Sequence, residues 1–103
     1  MANTYIFDKN NPYWGDERMY NWFFLSVKMN YFNDCLKAYG FIPRYEVLRE
    51  LGFDTSIEDL KYGWVFDGSG DNFIDFGISD QIPKYRGRKR TKYKLQFNCV
   101  KFE

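Results

Sequence analysis

The apolar period of this chain changes once, near Gly63, and that change limits the folds open to it. Before it, large apolar residues recur at helical steps. Met19, Phe23, Val27 and Tyr31 follow one another four apart, and Phe24, Phe32, Cys35 and Leu36 broaden the stripe. Asp16 is a good N-cap for this helix, with Glu17 in its first turn. Gly40 suits the left-handed position just past its end. The run is long enough to accommodate a kink around Lys28–Asn30. Pro43 fits the first turn of a second helix with Tyr45, Val47, Leu48 and Leu51 on its core face and Gly52 at its end. Thr55-Ser56-Ile57-Glu58 reads as a capping box opening a single turn that closes near Tyr62.

From Gly63 onward the period is two. Trp64 and Phe66 alternate with Val65, and Ile74, Phe76 and Ile78 alternate with Phe73, Asp75 and Gly77. Asp67 to Asn72 between them is turn chemistry, so a hairpin is expected. A last strand begins near Tyr93 with Tyr93, Leu95, Phe97 and Cys99 on one face. Val100 and Phe102 fall out of that phase, as a bulge near Cys99 or burial on both faces would produce. The apolar Tyr5-Ile6-Phe7 near the start reads as an edge strand or an ordered arm. Helices first and strands later imply an α+β fold. The N-terminal helices (about 16–62) would pack on one face of a small C-terminal antiparallel sheet (about 63–103), in one domain spanning 1–103.

Several function classes are disfavoured by what the chain contains. It has no His, so the commonest general base is missing, and no nucleophile elbow or phosphate-binding glycine loop occurs. Cys35 and Cys99 form no CxxC pair and read as reduced residues packed in the core of a cytoplasmic protein. Asp67, Asp71 and Asp75 recur every fourth residue and invite a metal reading. An EF-hand loop counted from Asp67 fails, because Asn72 stands where glycine is required and Ile78 where the bidentate Glu is required. No Lys lies between Lys61 and Lys84 to serve a magnesium nuclease. Asp67 and Asp71 therefore read as caps of backbone amides in the turn and Asp75 as the partner of a structural hydrogen bond or an ion pair, with no metal, cofactor or catalytic residue expected. No segment is long and apolar enough to span a bilayer, and no secretory signal opens the chain.

The markers Tyr39-Gly40-Phe41, Leu51-Gly52-Phe53, Gly63-Trp64 and Ile74-Asp75-Phe76, with Asn33, Tyr45 and Leu48 between them, resemble a small domain encoded by phages and prophages of Gram-positive bacteria. The resemblance covers about half of the chain. It implies a phage or mobile-element origin and a bacterial cytoplasmic setting, and it assigns no activity.

Charge is the remaining signal. Residues 1–80 hold 7 Lys and Arg against 13 Asp and Glu, net −6, whereas residues 81–103 hold 8 against one, net +7. Most of the excess lies in Lys84, Arg86, Arg88, Lys89, Arg90, Lys92 and Lys94, interleaved with Tyr85 and Tyr93. Cations release counterions on binding phosphate and tyrosine can stack on a base, so Lys84, Tyr85, Arg86, Arg88, Lys89, Arg90, Lys92 and Tyr93 form the candidate partner- or phosphate-binding set. A basic edge strand also blocks edge-to-edge aggregation, which is the bland alternative. Three functions follow as expectations. The first is a non-enzymatic, anti-CRISPR-like inhibitor that binds a host protein or protein–nucleic acid complex. The second is a nucleic-acid or nucleotide-messenger binder using residues 84–94, and the third is a small virion or assembly protein. Homo-oligomer formation is left open.

Overall fold

The computed structural model describes residues 3–67, 71–83 and 89–102. The chain opens with β1 (Thr4–Asp8), continues through the long helix α1 (Tyr20–Tyr39), and then makes β2 (Phe41–Pro43) and α2 (Arg44–Glu50). A 3-10 turn (Ile57–Leu60) leads into β3 (Tyr62–Val65). A second 3-10 turn (Ser79–Gln81) precedes β4 (Lys92–Gln96) and β5 (Val100–Lys101). The fold is α+β, with two small antiparallel sheets in place of the single C-terminal sheet expected. One pairs β1 with β4, the other has the order β2-β3-β5. Strands thus come from both ends of the chain.

The first sheet sets Phe7 opposite Tyr93 and Tyr5 opposite Leu95. The alternation read in the last strand holds, since Tyr93, Leu95, Phe97 and Cys99 are all buried. Its change of phase is neither a bulge nor two-sided burial. The chain leaves one sheet after Gln96 and joins the other at Val100, so residues 97–99 cross between sheets. Phe97 sits at that crossing. Its ring lies 5.0 Å from Tyr5 in the first sheet, 5.5 Å from Trp64 in the second and 5.3 Å from Phe76. Gly63 lies in the middle of the second sheet because a side chain there would strike the Ile42 carbonyl, the Pro43 Cα and the Phe102 ring.

α1 begins later than the sequence suggests and runs without a break. Asp16 does not cap it. Helix starts at Tyr20, with no side-chain cap on Met19, and the turn before it is fixed by Asn21 instead. The Asn21 amide donates to the Gly15 carbonyl (2.8 Å) and accepts from the Gly15 N–H (2.9 Å). Gly40 closes the helix at φ 88° as expected. α2 starts one residue after Pro43, which is extended and ends β2. The capping box is shifted by one residue. Ser56 and Asp59 form it, with the Ser56 N–H donating to the Asp59 carboxylate (2.8 Å). The other Asp59 oxygen takes the Arg44 Nε at 2.8 Å, and the Arg44 guanidinium lies 4.5 Å from the Tyr62 ring centre.

Residues 68–70 of the expected hairpin turn lie outside the described residues, and among the described ones no hairpin forms. β3 ends at Val65, and none of residues 71–78 is in a strand. Ile74, Phe76 and Ile78 are nonetheless buried in alternation, because side chains do the work of a partner strand. The Asn33 amide on α1 donates to the Ile74 carbonyl (2.9 Å) and accepts from the Ile74 N–H (2.8 Å). The Phe76 carbonyl accepts from the Gln96 N–H (2.8 Å). Asn98 accepts from the Trp64 indole (2.6 Å) and the Asp75 N–H (2.9 Å), and donates to the Phe73 carbonyl (3.0 Å) and the Asp71 carboxylate (3.1 Å).

Candidate functional site

α1 carries apolar side chains on both of its faces, which decides where a site can lie. With 3.6 residues per turn, Leu25, Phe32 and Leu36 fall on one side, while Tyr20, Phe23, Val27 and Tyr31 fall on the other. The first set is the core. Leu25 and Leu36 are fully enclosed and Phe32 nearly so. Phe23, Val27 and Tyr31 belong to the four-residue row read with Met19 as an apolar stripe, and the structure turns them outward, whereas Phe32 and Leu36 of the same stripe are buried. Phe23 is 55% exposed, Val27 61% and Tyr31 54%, with Tyr20 at 46%. Residues of both sheets and residues 74–78 lie against the Leu25–Phe32–Leu36 side, and no described residue buries the other. Lys28 borders this face, tied to Glu50 of α2 at 3.0 Å. Trp22 turns inward enough for its indole to reach the Ile78 carbonyl at 3.5 Å.

The apolar surface continues past Tyr31. A groove of about 410 Å³ is lined by Tyr31, Phe32, Cys35, Tyr39, Phe41 and Ile42, and Tyr39 and Phe41 are both largely exposed. The Cys35 thiol beside Tyr31 raises its phenol above the ordinary value of 10.0. A soluble helix normally has a polar outer side, so an apolar one marks a surface made to be covered. The signal in the sequence was the far end of each stripe. Continued toward Gly40, the outer one meets Asp34 and the inner one meets Leu36.

The basic candidate set is divided. Lys84, Tyr85, Arg86 and Arg88 lie outside the described residues. Lys89, Arg90, Lys92 and Lys94 are exposed. Arg90 is held in place: its guanidinium lies 5.0 Å from the Tyr93 ring centre and donates to the Gln81 side chain (3.1 Å) and the Lys92 carbonyl (3.3 Å). With Gly77, Asp80 and Gln96, Gln81, Arg90 and Lys94 line an open groove of about 500 Å³. Tyr93 is a correction. It is 1% exposed, so its ring is part of the core and offers no face to a base. Burial pushes its phenol above the usual 10.0, against an opposing pull from Arg90.

Of the three aspartates, Asp75 accepts the Gly77 N–H (2.8 Å), the Asp71 carboxylate accepts from the Asn98 side-chain amide (3.1 Å), and the backbone N–H of Asp67 donates to the Asn72 side chain (3.0 Å). Asp67 and Asp71 border an open groove of about 460 Å³ with Trp64, Phe73 and Phe102. Among the described residues no group of three or more His, Cys, Asp or Glu side chains is placed to hold a metal ion. Cys35 and Cys99 are free, the first half-buried and the second buried. No helix among the described residues is long and apolar enough to cross a membrane.

A family model described as "Family of unknown function (DUF6353)" matches residues 1–102 of the chain. Neither the curated proteins nor the solved structures contain a match.

Proposed function

For a chain that belongs to the DUF6353 family, whose function is unknown, we propose a binding role without catalysis, exerted by protein–protein contact through the outward face of α1. The observation that carries this reading is the row Tyr20, Phe23, Val27 and Tyr31, left exposed on a helix whose opposite side is already packed. Aromatic side chains on a rigid helix are effective anchors, since they bring large apolar area at small entropic cost. The narrower proposal, an inhibitor of a bacterial defence complex of the anti-CRISPR kind acting in the host cytoplasm, rests on the phage-like markers Leu51-Gly52, Gly63-Trp64 and Ile74-Asp75-Phe76. Capture from host lysate with tagged protein tests both levels. A defined partner should be retained by the native chain and lost from a Phe23→Ser/Tyr31→Ser variant. Equal capture by the two would refute α1 as the contact surface, and a partner outside any defence complex would refute the narrower proposal.

The groove beside Arg90 and Lys94 favours a second reading, binding of nucleic acid or a nucleotide messenger through phosphate. On that reading, binding weakens steeply with salt and is lost on charge reversal of Lys89, Arg90 and Lys92. Salt-independent binding, or none, would exclude it.

A further inference from the structure

We propose that the outer edge of β1 is a docking site for an extended, acidic segment of a partner protein, which joins the first sheet as a third strand. This surface is separate from the outward face of α1, so either can fail without the other.

The register of β1 on β4 decides which of its backbone groups are free. In an antiparallel pair, alternate residues exchange both hydrogen bonds with the partner strand, and the residues between them turn N–H and C=O away. The Phe97 N–H donates to the Asn3 carbonyl (2.9 Å), so the bonded pairs are Tyr5 with Leu95 and Phe7 with Tyr93. Thr4, Ile6 and Asp8 therefore point their backbone groups outward. The Asp8 carbonyl takes the Asn11 N–H (2.9 Å) and closes that end. Among the described residues nothing meets the N–H and C=O of Ile6, which is 41% exposed.

The opposite edge of the sheet is closed. The Gln81 side-chain amide donates to the Lys94 carbonyl (2.7 Å) and accepts the Lys94 N–H (2.9 Å), imitating a strand. The Gln96 N–H goes to the Phe76 carbonyl (2.8 Å). β1 has no such cover, and it carries neither the Pro nor the Lys that commonly protects an edge. A row of outward backbone groups is matched by another extended backbone.

Charge selects the partner. Lys94 stands cross-strand from Ile6 and Lys92 from Asp8, both exposed on the solvent face of the sheet. Neither is in an ion pair among the described residues. A third strand would lie about 5 Å beyond β1 and about 10 Å from β4, within reach of a lysine side chain passing over Ile6. Acidic residues on that face complement it. On the other face the half-buried Tyr5 ring suits a β-branched neighbour. The fitting segment alternates Glu or Asp with Val or Ile.

Fluorescence anisotropy with a labelled heptapeptide of alternating Val and Glu, the chain titrated to about 1 mM, tests the proposal; a Kd on the order of 100 µM is expected for so short a strand. Ile6→Pro removes an outward N–H that β4 does not use, so circular dichroism should stay native while binding weakens at least about tenfold. Ile6→Thr keeps that N–H and should bind within about twofold of the native chain. Peptides methylated on the backbone nitrogen at alternate residues read the same contact from the other side, whether or not Ile6→Pro folds. Methylation in one phase should abolish binding and in the other phase leave it. Lys94→Glu should weaken the Val–Glu peptide about fivefold and favour a Val–Lys peptide instead. No binding of the Val–Glu peptide overturns the proposal, as does binding indifferent to the phase of methylation. Equal binding of the Val–Lys peptide by the native chain overturns the acidic assignment. A chain that ignores the peptide but doubles its sedimentation mass, and loses the doubling in Ile6→Pro, assigns the edge to a second copy and overturns the partner segment.

Discussion

Replacing Asn33 with alanine removes the side chain that stands in for a strand. Its amide makes three hydrogen bonds: to the Met29 carbonyl (3.0 Å), to the Ile74 carbonyl (2.9 Å) and from the Ile74 N–H (2.8 Å). The Met29 carbonyl keeps its helical role. The Ile74 N–H and carbonyl lose their partners beside a side chain that is 1% exposed. A buried backbone group left unpaired costs about 1–3 kcal/mol. Asn33 is half-buried, so water reaches part of the site and the lower values apply, about 2–3 kcal/mol for the two groups together. Alanine's better helix propensity returns about 0.6 kcal/mol. The net expectation is a loss of about 2 kcal/mol, or about 8–16 °C in Tm for a domain of this size. Urea unfolding followed by tryptophan fluorescence reads it, since Trp64 is buried beside Phe97. Asn30→Ala is the control, an exposed position on the same helix where only the propensity gain applies. If Asn33→Ala matches Asn30→Ala in stability, the idea that side-chain amides replace the missing strand is wrong.

Three further outcomes follow from the packing and the titrating groups. Phe23→Ser should change the stability of the chain by less than about 1 kcal/mol, whereas Phe32→Ala should cost about 3–5 kcal/mol, because only the second ring is in the core; thermal melts separate the two. Arg44→Met should cost about 3–5 kcal/mol by stranding the buried Asp59 carboxylate, and Arg44→Met with Asp59→Leu should recover much of it in urea titrations. Burial raises the Cys99 thiol above its ordinary 9.0 and the Tyr5 and Tyr93 phenols above 10.0. The folded state then holds these protons longer than the unfolded one. Their contribution is complete below about pH 9 and declines as pH rises past the unfolded values; a urea midpoint that rose between pH 9 and 11 would contradict it.

The strands read best from the sequence where one face alone is apolar. Tyr93, Leu95, Phe97 and Cys99 alternate with Lys94, Gln96 and Asn98, and the structure buries that set. Gly40 and Gly52 were legible because their positive φ, 88° and 87°, leaves little choice of residue. The face of α1 was not legible from spacing, since Phe23–Val27–Tyr31 and Leu25–Phe32–Leu36 fit helical periodicity equally well. What selects between them lies elsewhere in the chain, in the Asn33 amide that docks on Ile74 and in Phe7, whose ring stacks on Phe24 at 5.5 Å. The hairpin was misread for a related reason. Alternation of Ile74, Phe76 and Ile78 reports which side chains are buried, and Asn33, Gln96 and Asn98 satisfy that backbone without a paired strand. Of the basic set, Tyr93 was assigned both a core position and a stacking role, and only the core position fits its burial.

Capture from host lysate by the native chain beside that by Val27→Asp tests the central claim most directly, that the outward face of α1 is a contact surface. The account predicts a defined partner retained by the native chain and lost from the variant, which should stay folded because Val27 is 61% exposed. A partner captured equally by both would contradict it.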